Sequence, residues 1–202
     1  MVRTSVVVAV TAAFVLAAGG AWAVSFYPLP QAVEKGVPKA ERPPIGGVAL
    51  MAASWDVGAD TVSGVLLAGQ FSVGDKWVVG GAYNSVKVAG DTVNFTEGNV
   101  TYRLPQDWGV QAGLIDYEGG TDYLLSGVKS FRDPKKDAWQ ADVGLGWYGA
   151  EMVGGGRDDG ASLFVSGGYN LTPNISLNAS VWSLSVADST MTRSALGVGY
   201  RF

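Results

Sequence analysis

Residues 191–202 read Met-Thr-Arg-Ser-Ala-Leu-Gly-Val-Gly-Tyr-Arg-Phe, and the character of the side chains alternates along them. One face carries Thr192, Ser194, Leu196, Val198, Tyr200 and Phe202, and the other carries Met191, Arg193, Ala195, Gly197, Gly199 and Arg201. A period of two over this length is typical of a β-strand with two different faces. Residues 139–149 and 161–171 alternate in the same way, so the pattern predicts a protein built of such strands.

A tryptophan preceded by charged or polar residues recurs every 31 positions, at Trp77, Trp108 and Trp139. This spacing fits one hairpin of two strands, one tight turn and one longer loop. The sequence therefore predicts ten strands, with eight as the alternative: 46–56, 61–73, 77–89, 92–104, 108–117, 122–131, 138–150, 161–171, 175–186 and 191–202. Short turns are expected at one end of the strands, and mostly longer, Gly- and Asp-rich loops at the other.

Three of these strands need a further assumption. The alternation breaks in 77–89 and in 175–186, which predicts a β-bulge near Asn84 and another near Ser183. In 122–131 we expect Leu124 and Val128 to lie on the apolar, outward face of the strand. If that face meets lipid, this arrangement keeps the charge of Lys129 on the other face and out of the lipid.

The amino-terminal segment has the layout of a secretory signal peptide. Arg3 precedes an apolar run from Val6 to Ala18, and Ala21-Trp22-Ala23 forms a small-x-small cleavage site. We expect residues 1–23 to be removed after Ala23. Residues 24–45 hold five of the eight prolines and a mixed-charge stretch, which predicts either a periplasmic tether or a plug of the barrel lumen. Residues 46–202 are then the barrel.

The composition excludes several classes of function. The chain has 202 residues, 16% of them charged against about 25% in an average protein, and a formal net charge of −4. The acidic balance argues against nucleic acid as a partner. The absence of both His and Cys removes the commonest general base, the thiol nucleophile and the commonest metal ligands. We therefore predict no enzymatic activity, no catalytic residue, no cofactor and no metal site. A catalytic site built from carboxylates alone, or from a Ser–Lys pair, is the alternative that this composition leaves open.

With its terminal Phe202 and every second residue before it apolar, the chain resembles small bacterial outer-membrane β-barrel proteins, the general class of OmpA-, OmpX- and OmpW-like proteins. The resemblance covers the chain from Ile45 onward and identifies no subfamily. It implies a closed antiparallel transmembrane barrel with short periplasmic turns in the outer membrane of a Gram-negative bacterium. It also implies that the barrel-assembly machinery reads Leu196, Val198, Tyr200 and Phe202. The surroundings would be outer-membrane lipid and lipopolysaccharide.

Two sets of side chains are predicted to define the barrel. Aromatic girdles at the two membrane interfaces are expected from Trp55, Trp77, Trp108, Trp139, Trp147 and Trp182. Charges facing the lumen are expected from Glu97, Arg103, Lys129, Asp142, Arg193 and Arg201, with Asp116 as a further candidate.

The role of the lumen stays open at this stage. Inward glycines either leave space for water and small solutes, or permit curvature and close packing around a plug. The predicted function is a structural component or a narrow, porin-like passive pore. The alternative is a secreted soluble β-barrel that binds a small apolar ligand.

Overall fold

A computed structural model describes residues 46–57, 60–117, 120–132, 138–151, 157–186 and 189–202. The predictions for the signal peptide and for residues 24–45 lie outside these ranges. So does the Gly-rich connection 152–156. No helix among the described residues is long and apolar enough to cross a membrane.

The described residues form ten antiparallel strands that close into one barrel, as the alternation predicts. The strands are β1 (Gly46–Val57), β2 (Asp60–Val73), β3 (Trp77–Val88), β4 (Asp91–Arg103), β5 (Trp108–Tyr117), β6 (Gly120–Arg132), β7 (Trp139–Glu151), β8 (Arg157–Asn170), β9 (Ile175–Val186) and β10 (Ser189–Arg201). Each strand pairs with its neighbour in sequence, and β1 pairs with β10. The seam is closed at the chain end by paired backbone hydrogen bonds between Gly46 and Phe202.

The two ends of the barrel differ in what they carry. The near end, as we name it, holds Gly46, Phe202 and the connections 74–76, 104–107, 133–138 and 171–174. At the opposite, far end, four of the five connections are only two residues long, because the strands continue almost to the turn. The prediction of mostly longer loops at the far end is therefore wrong. At the near end, the repeating Trp77, Trp108 and Trp139 are each the first residue of a strand.

The register is continuous on both sides of the two strands for which bulges are predicted. Asn84 pairs with Leu66 on β2 and Phe95 on β4, and Ser183 pairs with Leu163 on β8 and Thr192 on β10. The bulge predictions are wrong because the apolar side chains beyond these points do face the lumen: Val86 and Leu184 are buried inside it.

Inward glycines at several positions are covered by neighbouring groups. A Cβ placed at Gly144 would overlap the ring of Phe164, its partner on β8, and one placed at Gly197 would overlap the β1 backbone at Leu50. At these positions glycine permits close approach, which supports the close-packing interpretation over an open lumen.

Candidate functional site: the barrel lumen and outer surface

The lumen changes from polar at the near end to apolar at the far end. Strand β4 shows the change on one element, since its inward side chains run Arg103, Thr101, Asn99, Glu97, Phe95 and Val93 from near to far. Strand β9 repeats it with Ser176, Asn178, Ser180, Trp182 and Leu184. The apolar half of the lumen is thus a packed core, and the polar half carries the hydrogen-bonding groups.

A buried ion pair crosses the lumen between these two halves. The Nη1 of Arg193 on β10 lies 3.8 Å from Oε1 of Glu97 on β4, and both side chains are fully buried. Asn84 donates a short hydrogen bond from Nδ2 to the same Glu97 oxygen. The second carboxylate oxygen, Oε2, has no hydrogen-bond partner. Because β10 and β4 are four strands apart around the barrel, the pair ties distant parts of the wall together.

Two tryptophans lie on either side of Arg193. Trp55 on β1 and Trp182 on β9 are its cross-strand partners, and both are 0% exposed. Trp55 also meets Phe95 across the lumen in an edge-to-face contact, with 6.5 Å between ring centroids. The assignment of Trp55 and Trp182 to the membrane girdle is therefore wrong. We name Trp55, Glu97, Trp182 and Arg193 the septum, because these buried side chains lie where the lumen changes from polar to apolar.

A second polar cluster lies beside the apolar core at the far end. Asp122 is buried and accepts hydrogen bonds from Tyr117 Oη at 3.1 Å and Tyr148 Oη at 3.4 Å. The carboxylate thus links three consecutive strands, β5, β6 and β7. The sequence did not predict this cluster. The available signal was that Tyr148 and Asp142 lie an even number of positions apart on β7 and therefore share its inward face.

The remaining predicted lumen charges gather at the near end. Arg103 donates to Ser72 Oγ at 3.0 Å and to the carbonyl of Asp75 at 3.3 Å. Asp142 is fully buried on β7, and Arg201 shares the inward parity of Arg193 on β10. With Glu97 and Arg193, five of the six predicted lumen charges have the inward parity.

Lys129 is the sixth, and its prediction is wrong. It pairs with outward Trp108 on β5, and its ammonium lies 5.4 Å from the centre of that ring and 5.9 Å from that of Phe131. It also donates a short hydrogen bond to the Gln106 carbonyl in the near-end turn. Leu124 and Val128 consequently point into the lumen. A lysine at a barrel rim reaches past the apolar surface with its long stem, so it tolerates the outward position.

The outer surface carries a broad apolar belt. Outward side chains exposed on it include Leu50, Leu67, Leu125, Leu145, Leu163, Val181 and Leu196. Trp77, Trp108 and Trp139 ring its near end, and Trp147 lies toward its far edge, all exposed. Among the outward side chains that the structure describes, the charged ones lie only near strand ends: Asp56, Lys87, Asp116, Lys129 and Asp159. Asp116 is thus not a lumen residue; it accepts a hydrogen bond from Thr121 at the far rim.

Among the residues that the structure describes, the contacts of Glu97 and Asp122 link strands of the barrel wall. Within the described ranges, no group of three or more carboxylates lies close enough to hold a metal ion. Two of the three buried carboxylates in these ranges have partners of known kind: Glu97 contacts an arginine and an amide, and Asp122 accepts hydrogen bonds from two tyrosines. None of these contacts of Glu97 and Asp122 pairs a nucleophile with a base.

Comparison with known proteins gives solved barrels of the same general kind. The attachment invasion locus protein Ail of Yersinia pestis is 13% identical, with coverage of 78% of this chain and 97% of that one and a TM-score of 0.35. The outer membrane protein OprG of Pseudomonas aeruginosa is 12% identical, with coverage of 79% and 96% and a TM-score of 0.43. The amino-terminal β-barrel domain of OprF from Pseudomonas aeruginosa is 15% identical, with coverage of 77% and 97% and a TM-score of 0.36. No protein-family model and no curated protein matches the chain. Identities and TM-scores this low carry no information about activity.

Proposed function

We propose that this chain is an integral β-barrel of the bacterial outer membrane with a structural role, closed to solutes and without enzymatic activity. The observation that carries the proposal is the outer belt, whose described charged side chains are confined to the strand ends. Water-soluble proteins rarely expose a contiguous apolar surface of this extent, because such patches promote aggregation.

The height of the belt suits a bilayer. On β7 the outward apolar side chains run from Trp139 to Trp147. At ~3.3 Å per residue and a strand tilt of ~40°, eight steps rise about 20 Å. Transmembrane barrels carry an apolar band ~25 Å tall flanked by aromatic girdles. Since an open sheet edge is not tolerated in hydrocarbon, the closure of β1 on β10 is a further requirement that this chain meets.

The outer membrane is the compartment that the sequence favours. The predicted signal peptide would export the chain, and lipid together with lipopolysaccharide would surround the belt. Leu196, Val198 and Tyr200 lie exposed on the outer face of β10, and Phe202 is exposed directly after it, where the barrel-assembly machinery would read them. The near end would then face the periplasm.

The septum favours a structural role over a passive pore. Its tryptophans and its ion pair are fully buried, so no water-sized path adjoins them. We expect the purified protein to be silent in a planar lipid bilayer across ±100 mV. Steady single-channel steps from a homogeneous sample would contradict the closed lumen and restore the pore.

Fractionation combined with gel mobility tests the membrane assignment. We expect the protein in the outer-membrane fraction, with an unboiled band that migrates differently from the boiled band on SDS gels. Recovery as a detergent-free monomer from the soluble periplasm would overturn the proposal. That outcome would make the ligand-binding soluble barrel the working hypothesis.

A further inference from the structure

The charges on the outer wall differ between the two ends of the barrel. At the far end, the outward charged side chains that the structure describes are Asp56, Asp116 and Asp159, against the single cation of Lys87. At the near end, the one outward charged side chain on a described strand is Lys129. The near rim of the outer wall therefore attracts anions, whereas the far rim repels them.

Neighbouring groups fix the ammonium of Lys129 at this rim. It lies 5.4 Å from the ring centre of Trp108 and 5.9 Å from that of Phe131, and it donates one hydrogen bond to the Gln106 carbonyl. An ammonium carries three donor hydrogens. Within the described ranges, Lys129 forms no ion pair with a carboxylate. Its remaining donors can therefore meet a negatively charged group that approaches the wall from the membrane.

A depression in the apolar belt begins beside Lys129. The next outward position on β6 toward the far end is Gly127, which is exposed. The nearest atom to a Cβ placed there would be the Leu145 carbonyl oxygen, at 4.0 Å, so the space over this glycine is open. Val110 on β5 and Leu145 on β7 are its cross-strand neighbours, and their exposed side chains form the two sides of the depression. A cation and an apolar slot thus adjoin on one strand, about 7 Å apart along it.

We propose that this part of the outer wall binds one molecule of an anionic phospholipid, phosphatidylglycerol, from the leaflet at the near end. The inference rests on the membrane location proposed above. Lys129 contacts the phosphate, Trp108 lies beside the headgroup, and one acyl chain lies over Gly127 between Val110 and Leu145.

The cation and the slot together select this class of ligand. A phosphodiester that carries no other charge gains the full attraction of Lys129, whereas phosphatidylethanolamine also carries an ammonium, which Lys129 repels. A soluble phosphate would leave the apolar slot empty. Tryptophan suits the boundary between the two, because its ring is apolar and its N–H seeks a polar partner.

Native mass spectrometry of the folded barrel with added lipid tests the role of the cation. Phosphatidylglycerol and phosphatidylethanolamine with the same acyl chains would be compared, and we expect the parent to prefer phosphatidylglycerol. In Lys129→Gln that preference should fall about fivefold, the effect of one lysine at an anionic lipid surface. The matched control is Arg132→Gln, which removes a positive charge from the same strand at an inward position paired with Asp107. An equal loss in both variants, or none in Lys129→Gln, would overturn the proposal.

A second variant tests the slot without any change of charge. Gly127→Leu fills the depression and should weaken the binding of phosphatidylglycerol severalfold. Gly98→Leu is its control, because Gly98 is also outward, on β4, and has open space around it. Equal binding by the two leucine variants would contradict the acyl-chain contact. Glycerol phosphate, which carries the anion without acyl chains, should not displace the lipid even in large excess. Displacement by it would show a site for soluble anions and overturn the proposal.

The gel shift and vesicle insertion of the same samples report separately on the membrane barrel. A parent that inserts and keeps its heat-dependent gel shift, but binds the two lipids equally, would overturn the lipid site and leave the membrane assignment standing. A protein that stays in solution without detergent would overturn both.

Discussion

Breaking the buried pair between Glu97 and Arg193 should destabilise the barrel strongly. Both side chains are fully buried, with 3.8 Å between Nη1 and Oε1. Replacement of Arg193 by methionine would leave the Glu97 carboxylate with the Asn84 amide as its remaining partner. Removal of one partner from a buried pair costs about 3–5 kcal/mol, because the other charge stays buried without compensation.

The double variant separates this reasoning from a simple packing loss. Glu97→Gln with Arg193→Met removes both charges and keeps similar side-chain volumes, and such replacements are often neutral or stabilising. We therefore expect the double variant to unfold at a higher denaturant concentration than either single variant. The coupling between the two substitutions should exceed about 2 kcal/mol, within the range found for residues in one network.

Tryptophan fluorescence during guanidinium titration of the protein in lipid vesicles provides the assay. Asp107→Asn is the matched control, because its ion pair with Arg132, at 3.0 Å, is open to solvent. Exposed pairs contribute about 0–1 kcal/mol, so this variant should stay close to the parent. A loss below 1 kcal/mol for Arg193→Met, or additive single effects, would refute the claim that the pair secures the septum.

Three further outcomes follow from the same geometry. Gly144→Ala should cost about 1–3 kcal/mol by overpacking against the ring that covers it, whereas Gly98→Ala, with open space around it, should be nearly neutral in the same titration. In single-tryptophan variants, brominated lipid should quench Trp147 and leave Trp55 almost unquenched; equal quenching would contradict the assignment of the two faces. Val143→Arg, midway along the belt between Trp139 and Trp147, should cost about 2–4 kcal/mol, and a loss below 1 kcal/mol would place that residue outside the hydrocarbon.

The strands were predictable because alternation and the terminal pattern are local signals. The tryptophan repeat at Trp77, Trp108 and Trp139 marks the first residue of β3, of β5 and of β7, although the predicted strand 138–150 starts one residue before β7. The wall position of Lys129 was not predictable from charge alone. A lysine in mid-membrane costs several kcal/mol, but at the rim, beside Trp108, its stem lies on apolar surface and its ammonium reaches the turn.

The wrong predictions for Trp55 and Trp182 have one physical cause. Both rest on the rule that an apolar side chain in a membrane barrel points toward lipid. Toward the far end this rule reverses: outward positions are Ser54, Ser63 and Thr192, while Trp55 and Leu184 fill the interior.

This reversal accounts for the errors at Trp55, at Trp182 and at the two supposed bulges. On β9 the apolar residues change from outward Val181 to inward Leu184 without any break in the register. A bulge and a change of surroundings leave the same trace in a sequence, since both shift apolar residues to the other parity. Pairing distinguishes them, and here it is unbroken. The wall at the far end therefore has the polarity of a water-soluble barrel, with a packed core and a hydroxyl-bearing exterior. This polarity is expected where the strands extend beyond the hydrocarbon of the membrane.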